Sequence, residues 1–293
     1  MAQRSRSLAQ LLGYSEDARL LIVNADDFGM CHAENVATVE GLESGAYCCA
    51  TVMVPCPWFH DVVEFARRAP HADLGVHLTQ TSEWTTYKWG PVLGSAAVPS
   101  LVDAGGFFYN DVPPVYANAR LDEVERESRA QIDRALAAGI DVTHLDSHMG
   151  TLQLDVNYHD LYVRIAADYR LPIRMANRAW MHDIGMGRIG ALADRLNVLS
   201  PDHLWVGGPG QPDDTARYWT ALFDQLKPGV NELYVHAGAD MPEGHAITQT
   251  WAQRVADHRF FNAPSTRTLL DERRVVRIGY RQVRDLQRQL HSC

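Results

Sequence analysis

The 293-residue sequence contains no apolar run approaching the roughly 20 residues that cross a bilayer, which argues against a spanning segment. Its opening stretch, Met1 to Asp17, carries Arg4 and Arg6 but no apolar core of the kind a secretory signal needs, so a cytoplasmic protein is expected. Cysteine is scarce and odd in number: Cys31, Cys48, Cys49, Cys56 and Cys293, with no Cys-x-x-Cys pair. That argues against a zinc knuckle and a disulfide framework, and reduced structural thiols are expected. Positive charge is also short. The formal net charge is −9, and Lys and Arg are scattered until the C-terminal stretch, which argues against nucleic acid as a partner. No Gly-x-Gly-x-x-Gly follows the first apolar run, and no Gly-x-Ser-x-Gly occurs, so neither a dinucleotide enzyme nor an α/β-hydrolase is supported.

What the chain does have is a repeated alternation of short apolar runs and helical patterns. Leu20-Leu-Ile-Val, residues 49–54, 73–78, 142–147, 171–174, 203–206, 229–236 and 275–280 read as strands. Residues 33–44, 59–68, 121–138, 157–169, 184–195, 215–226, 251–260 and 265–272 read as helices, several of them closed by Gly or Pro. Residues 79–114 form a long aromatic stretch (Trp84, Tyr87, Trp89, Phe107, Phe108, Tyr109) after the third strand, of the length that lids and binding loops have. With 46% hydrophobic residues and no linker or repeat, one α/β barrel-like domain over 1–293 is expected, residues 1–18 being a short N-terminal extension.

The first strand ends in two adjacent carboxylates, Asn24-Ala-Asp26-Asp27-Phe-Gly29. Like charges side by side in a partly dry site raise one another's pKa, a cost that a cation or a proton role would relieve. An isolated Asp-Asp more often turns the chain or caps a helix. Here His77, His148 and His236 fall at or just past three other strand ends. In a barrel those ends converge on one face. A carboxylate with two imidazoles suits a borderline divalent ion, with a second carboxylate left over as a base and a further imidazole as an acid. His71, His159 and His291 are expected to be structural.

Three motifs, Asn24-Ala-Asp26-Asp27-Phe-Gly29, Gly75-Val-His77-Leu and Thr143-His144-Leu-Asp146-Ser-His148, resemble in order and spacing the YdjC-like (ChbG/HpnK) carbohydrate deacetylases. Weaker similarity continues through Leu233-Tyr-Val-His236 and Ile278-Gly-Tyr-Arg281. The resemblance implies a single distorted, TIM-barrel-like (β/α) barrel that removes an acetyl group from an N-acetylated mono- or oligosaccharide. It implies Asp27, His77 and His148 as metal ligands, Asp26 as the base, Arg174 as the residue orienting that base, and His236 as the acid protonating the leaving amine. It also suggests a homodimer, to which the run 273–288 contributes either an interface or a solvated basic face.

One departure stands out: the family commonly runs Asp-Ser-His-His-His where this chain has Asp146-Ser-His148-Met149-Gly150. The ligand position is kept, while the two residues after it are a thioether and no side chain, which opens the question of the sugar accommodated. Two other functions stay open: a metal-dependent hydrolase of a non-sugar substrate, and a sugar-binding relative without turnover. The ion expected is one divalent metal, zinc on the chemistry of two imidazoles and a carboxylate, although some members of the family are described as magnesium enzymes.

Overall fold

The computed structural model describes residues 6–291, and Cys293 lies outside them. Seven parallel strands form one curled sheet: β1 (Arg19–Phe28), β2 (Cys49–Val52), β3 (Leu74–Leu78), β4 (Val142–Ser147), β5 (His203–Trp205), β6 (Gly229–Val235) and β7 (Val275–Arg277). Their order is β4-β3-β2-β1-β6-β5. β1 is central. One side pairs with β6 from Arg19 to Ala25, and the other with β7 at Arg19–Leu21 and then with β2 from Asn24 onward. Every β1 residue after Arg19 is buried, as a strand covered on both faces demands. The fold is a distorted (β/α) barrel.

The distortion lies between β4 and β5. Residues 171–174, expected as a strand, make only one bridge, Leu145 to Ile173. Pro172 has no N–H to give to a ladder, so the segment touches β4 through Leu145 N–H to the Pro172 carbonyl and Arg174 N–H to the Leu145 carbonyl. On its other flank the Asn177 side-chain amide substitutes for a peptide group, accepting from Leu204 N–H at 2.9 Å and donating to the Leu204 carbonyl at 3.0 Å. Side-chain pairing thus spans the gap that a ladder would close.

Three further expectations change. The helix expected over 184–195 is two short helices, Arg178–Asp183 and Gly187–Arg195, broken where Gly185 takes φ +79°. The last strand stops at Arg277, and Tyr280 opens a helix, Tyr280–Leu290. That helix buries Tyr280, Val283, Arg284 and Gln287, while Arg281 and Arg284 pair with Asp141. Its basic residues therefore cap the amino-terminal end of the barrel rather than forming a uniformly solvated face. Residues before β1 join them: a short helix, Leu8–Leu11, packs Leu8 and Ala9 with Leu20, Ile22, Val230 and Tyr280. The stretch 79–114 also carries some regular structure, a 3-10 turn at Pro99–Leu101 and the start of a helix, Val112–Asn118. It folds down on its own aromatics, with Trp89 and Phe108 buried and Phe107 exposed. No helix among the described residues is long and apolar enough to cross a membrane.

Candidate active site

Alternation along β1 would send Asp26 and Asp27 to opposite faces of the sheet. The pairing of β1 with β2 shifts register between Ala25 and Phe28, and Asp27 sits at φ +64°, in the left-handed region that Asp tolerates better than most residues. This bulge turns both carboxylates toward the carboxyl-end mouth of the barrel. Asn24, one pleat earlier, fixes the first of them: its Nδ2 donates to Asp26 Oδ1 at 2.7 Å and to Thr51 Oγ1 at 3.0 Å. Its Oδ1 lies against Cys49 Sγ and His144 Nε2. His144 is therefore an inward-facing support. It stacks on Tyr280 with ring centres 3.9 Å apart, and burial, then Arg174, drives its pKa well below the ordinary imidazole value.

Three donors converge within 4.8 Å of one another: Asp27, His77 at the end of β3 and His148 just past β4. Asp27 Oδ1 lies 3.5 Å from His77 Nε2 and 3.3 Å from His148 Nδ1, and the two ring nitrogens are 3.3 Å apart. The remote nitrogen of each ring meets a carboxylate: Asp146 Oδ1 at 2.5 Å from His77 Nδ1, and Glu83 Oε2 at 2.9 Å from His148 Nε2. Carboxylate–imidazole pairs of this kind set the tautomer and orientation of metal-binding histidines. Asp27 Oδ1 is buried and has no hydrogen-bond partner. Burial opposes charge on both rings, yet Asp146 and Asp27 raise His77 to about 9, and Glu83 and Asp27 raise His148 to about 10. The pocket thus demands positive charge at a point where two ring protons would face each other. A divalent cation between an orphaned carboxylate oxygen and two imidazole nitrogens meets that demand, so the residues fit a metal.

Asp26 belongs to a second group, with His77 and Asp146, whose donor atoms also lie within 4.8 Å of one another, but it is held by a cation. Arg174 grips it with two parallel bonds, and Arg174 Nη1 also lies 2.9 Å from Asp146 Oδ2 and its Nε 2.8 Å from Glu232 Oε1. Tyr280 donates to the other Glu232 oxygen at 2.6 Å, and the Tyr234 ring lies under the guanidinium at 4.6 Å. Burial would raise the Asp26 pKa, but the Arg174 charge and hydrogen bonds overcome it and hold Asp26 at about 2. It stays ionised through the whole physiological range.

His236, just past β6, brings Nε2 to 3.9 Å from Asp27 Oδ2 and keeps 41% of its side chain exposed. It stands with Met149 and Tyr234 between two cavities that share the site. The larger, about 740 Å³, reaches Asp26, His77 and Arg174 and is rimmed by Met149, Leu154, Trp180 and Val206, all exposed. The smaller, about 540 Å³, reaches Asp27, His148 and Arg254 and is flanked by Trp84 and Trp219. Met149 holds the partition at φ +51°, followed by Gly150 at φ +66°, so the two residues that depart from the family pattern turn the chain sharply beside the cluster.

Asp26, Asp27, His77, His148, Arg174 and His236 are all brought to one place. Sequence reading left Glu83, Asp146, Glu34 and Arg254 without roles. Asp146 lay inside the third motif and was open to recognition as a ligand's partner. Glu83 lies in the aromatic loop, and Glu34 and Arg254 lie on outer helices, where charged residues are ordinary and carry no spacing signal.

A distorted (β/α) barrel with a buried Asp/His cluster at the carboxyl ends of its strands is the class that fold and site define. The chain belongs to the YdjC-like protein family, whose sequence profile matches residues 20–272. A carbohydrate deacetylase of Thermus thermophilus is 32% identical over 260 residues, covering 87% of this chain and 90% of the relative. One of Geobacillus stearothermophilus is 30% identical over 268 residues, covering 90% and 98%. Among solved structures, a protein of Enterococcus faecalis provisionally described as a cellobiose-phosphate cleavage protein superposes with a TM-score of 0.80 at 26% identity. It covers 91% of this chain and 99% of its own.

Proposed function

We propose that this protein is a metal-dependent carbohydrate N-deacetylase. The observation that carries the reading is the convergence of Asp27 Oδ1, His77 Nε2 and His148 Nδ1 on one point, beside an ionised, Arg174-clamped Asp26 at the floor of an open cavity. The named activity of the relatives supplies the substrate class. Asp27, His77 and His148 would hold a divalent ion, which when bound supplies Lewis acidity toward an amide carbonyl and a water molecule. Asp26 receives the proton of the attacking water, and Arg174 keeps that carboxylate ionised and aimed. His236, on the open side of the site, delivers a proton to the amide nitrogen. The amide C–N bond breaks, leaving acetate and the free sugar amine.

The larger cavity falls in the range that holds small ligands, and Trp180 at its rim offers an exposed aromatic face to a sugar ring. A nitrogen-rich donor set favours zinc, cobalt or nickel over magnesium. The test is acetate release from N-acetylglucosamine and its short oligomers, with and without added metals. Metal-dependent release is expected. No release from any of them by metal-loaded protein, with turnover of a non-sugar acetamide instead, would replace the substrate class.

A further inference from the structure

Asp27, next to last in β1, sits in the left-handed region at the register shift between Ala25 and Phe28. Its outer oxygen is held. Arg254 Nη1 lies 2.9 Å from Asp27 Oδ2 and 2.5 Å from Glu34 Oε1, and all three residues are buried. Arg254 sits on the helix Trp251–Asn262 and Glu34 on the helix His32–Ser44, so one helix outside the barrel reaches in to the carboxylate and a second braces it. The approach is cut to fit: a Cβ on Gly238 would stand 3.0 Å from Arg254 Cβ, and Gly238 N–H donates to the Arg254 carbonyl.

We infer that Arg254, braced by Glu34, is a positioning residue that reserves Asp27 Oδ2, so that Asp27 offers the single oxygen Oδ1 to the ion. This rests on the metal-dependent reading above. A carboxylate free to turn could present both oxygens and occupy a position otherwise open to water and substrate. Asp146 and Glu83 constrain the two imidazoles, and Arg254 constrains the third ligand in the same way.

Two effects of removing Arg254 oppose each other, which makes the sign of the result decisive. Loss of a nearby positive charge alone would tighten cation binding. Loss of positioning would weaken it. The experiment takes the full chain and its Arg254→Gln, Arg254→Lys and Glu34→Gln variants, freed of metal. It records cobalt(II) affinity by titration, the visible spectrum of the cobalt form, and the melting temperature of the metal-free protein. Arg254→Gln is expected to weaken cobalt binding on the order of 10–100-fold and to change the spectrum, with Arg254→Lys recovering part of both. Glu34→Gln should fall in between. Binding as tight as wild type or tighter, with an unchanged spectrum, would overturn the inference whatever happens to the melting temperature. If Arg254→Gln does not fold, wild-type spectra in the other two variants overturn it equally. Wild-type protein that takes up neither cobalt nor zinc would instead remove the metal reading, and this inference with it.

Discussion

Arg174 holds Asp26 by two parallel hydrogen bonds, Nη1 to Oδ2 and Nη2 to Oδ1, each 2.7 Å long. A fork of this kind fixes direction as well as charge. It also weakens Asp26 as a base, because the interaction that aims the carboxylate stabilises its ionised form. Catalysis by Asp26 therefore depends on placement more than on basicity.

Asp26→Asn removes the proton acceptor and leaves the three candidate ligands in place. Metal content should remain near that of wild type, while kcat falls on the order of 10²-fold or more. Parallel loss of metal and activity would make Asp26 a ligand and reverse the roles assigned to the two carboxylates.

Arg174→Lys keeps a positive charge but cannot satisfy Asp26, Asp146 and Glu232 together. We expect kcat to fall about 10–100-fold with little change in metal content. Removing the charge altogether, as in Arg174→Met, strands three buried acids and should cost about 3–5 kcal/mol of stability. Thermal and denaturant unfolding of both variants read this directly. Equal stability in the two would show that charge at this position carries little weight.

His77→Ala and His148→Ala each remove a donor from the cluster and should weaken zinc binding steeply, read by competition with a chelating dye. Glu83→Gln, which acts through His148, should weaken it less, roughly 10-fold. His144→Ala should leave the affinity near wild type, since that ring faces Asn24 and Tyr280. Comparable metal loss in His144→Ala would mean that the wrong histidine of the third motif has been assigned.

Protein purified without chelator should carry a transition metal, zinc by default, by element-specific X-ray scattering or elemental analysis. Two imidazole donors are a poor match for magnesium, which prefers oxygen and sheds water reluctantly. Activity restored by magnesium alone, in protein free of transition metals, would overturn the choice.

Outside the cluster of candidate ligands, Asp73 is buried just before β3, accepting from Thr143 Oγ1 and from Arg281 N–H. Burial raises its pKa from 3.8 to about 6 against those hydrogen bonds and the Arg281 and Arg284 charges. Because the folded value lies above the unfolded one, its contribution is full below about pH 4 and lost as pH rises through about 6, a change of about 3 kcal/mol. Unfolding free energies of wild type and Asp73→Asn, compared between pH 4 and 7, should converge or cross by about that amount. A difference that does not vary with pH would show an ordinary carboxylate.

The sequence by itself determined the strand-and-helix alternation and the identity of the residues at the strand ends. Apolar runs buried on both faces are short-range signals, and a β/α barrel places their carboxyl ends together whatever lies between. Asp27, His77, His148 and His236 could therefore be named from position alone. Tertiary structure decided what no local pattern carries. The bulge at Asp27 decides that two adjacent carboxylates share a site rather than opposite faces. The 171–177 segment fails as a strand because Pro172 cannot donate and a side-chain amide at Asn177 takes over the pairing. Glu83 and Arg254 reach the ligands from a loop and a helix distant in sequence, Glu34 braces Arg254 from the helix after β1, and a charged residue at such places looks like any solvated one until packing removes its water. Which charges are buried, and against which partners, is a property of the assembled barrel alone.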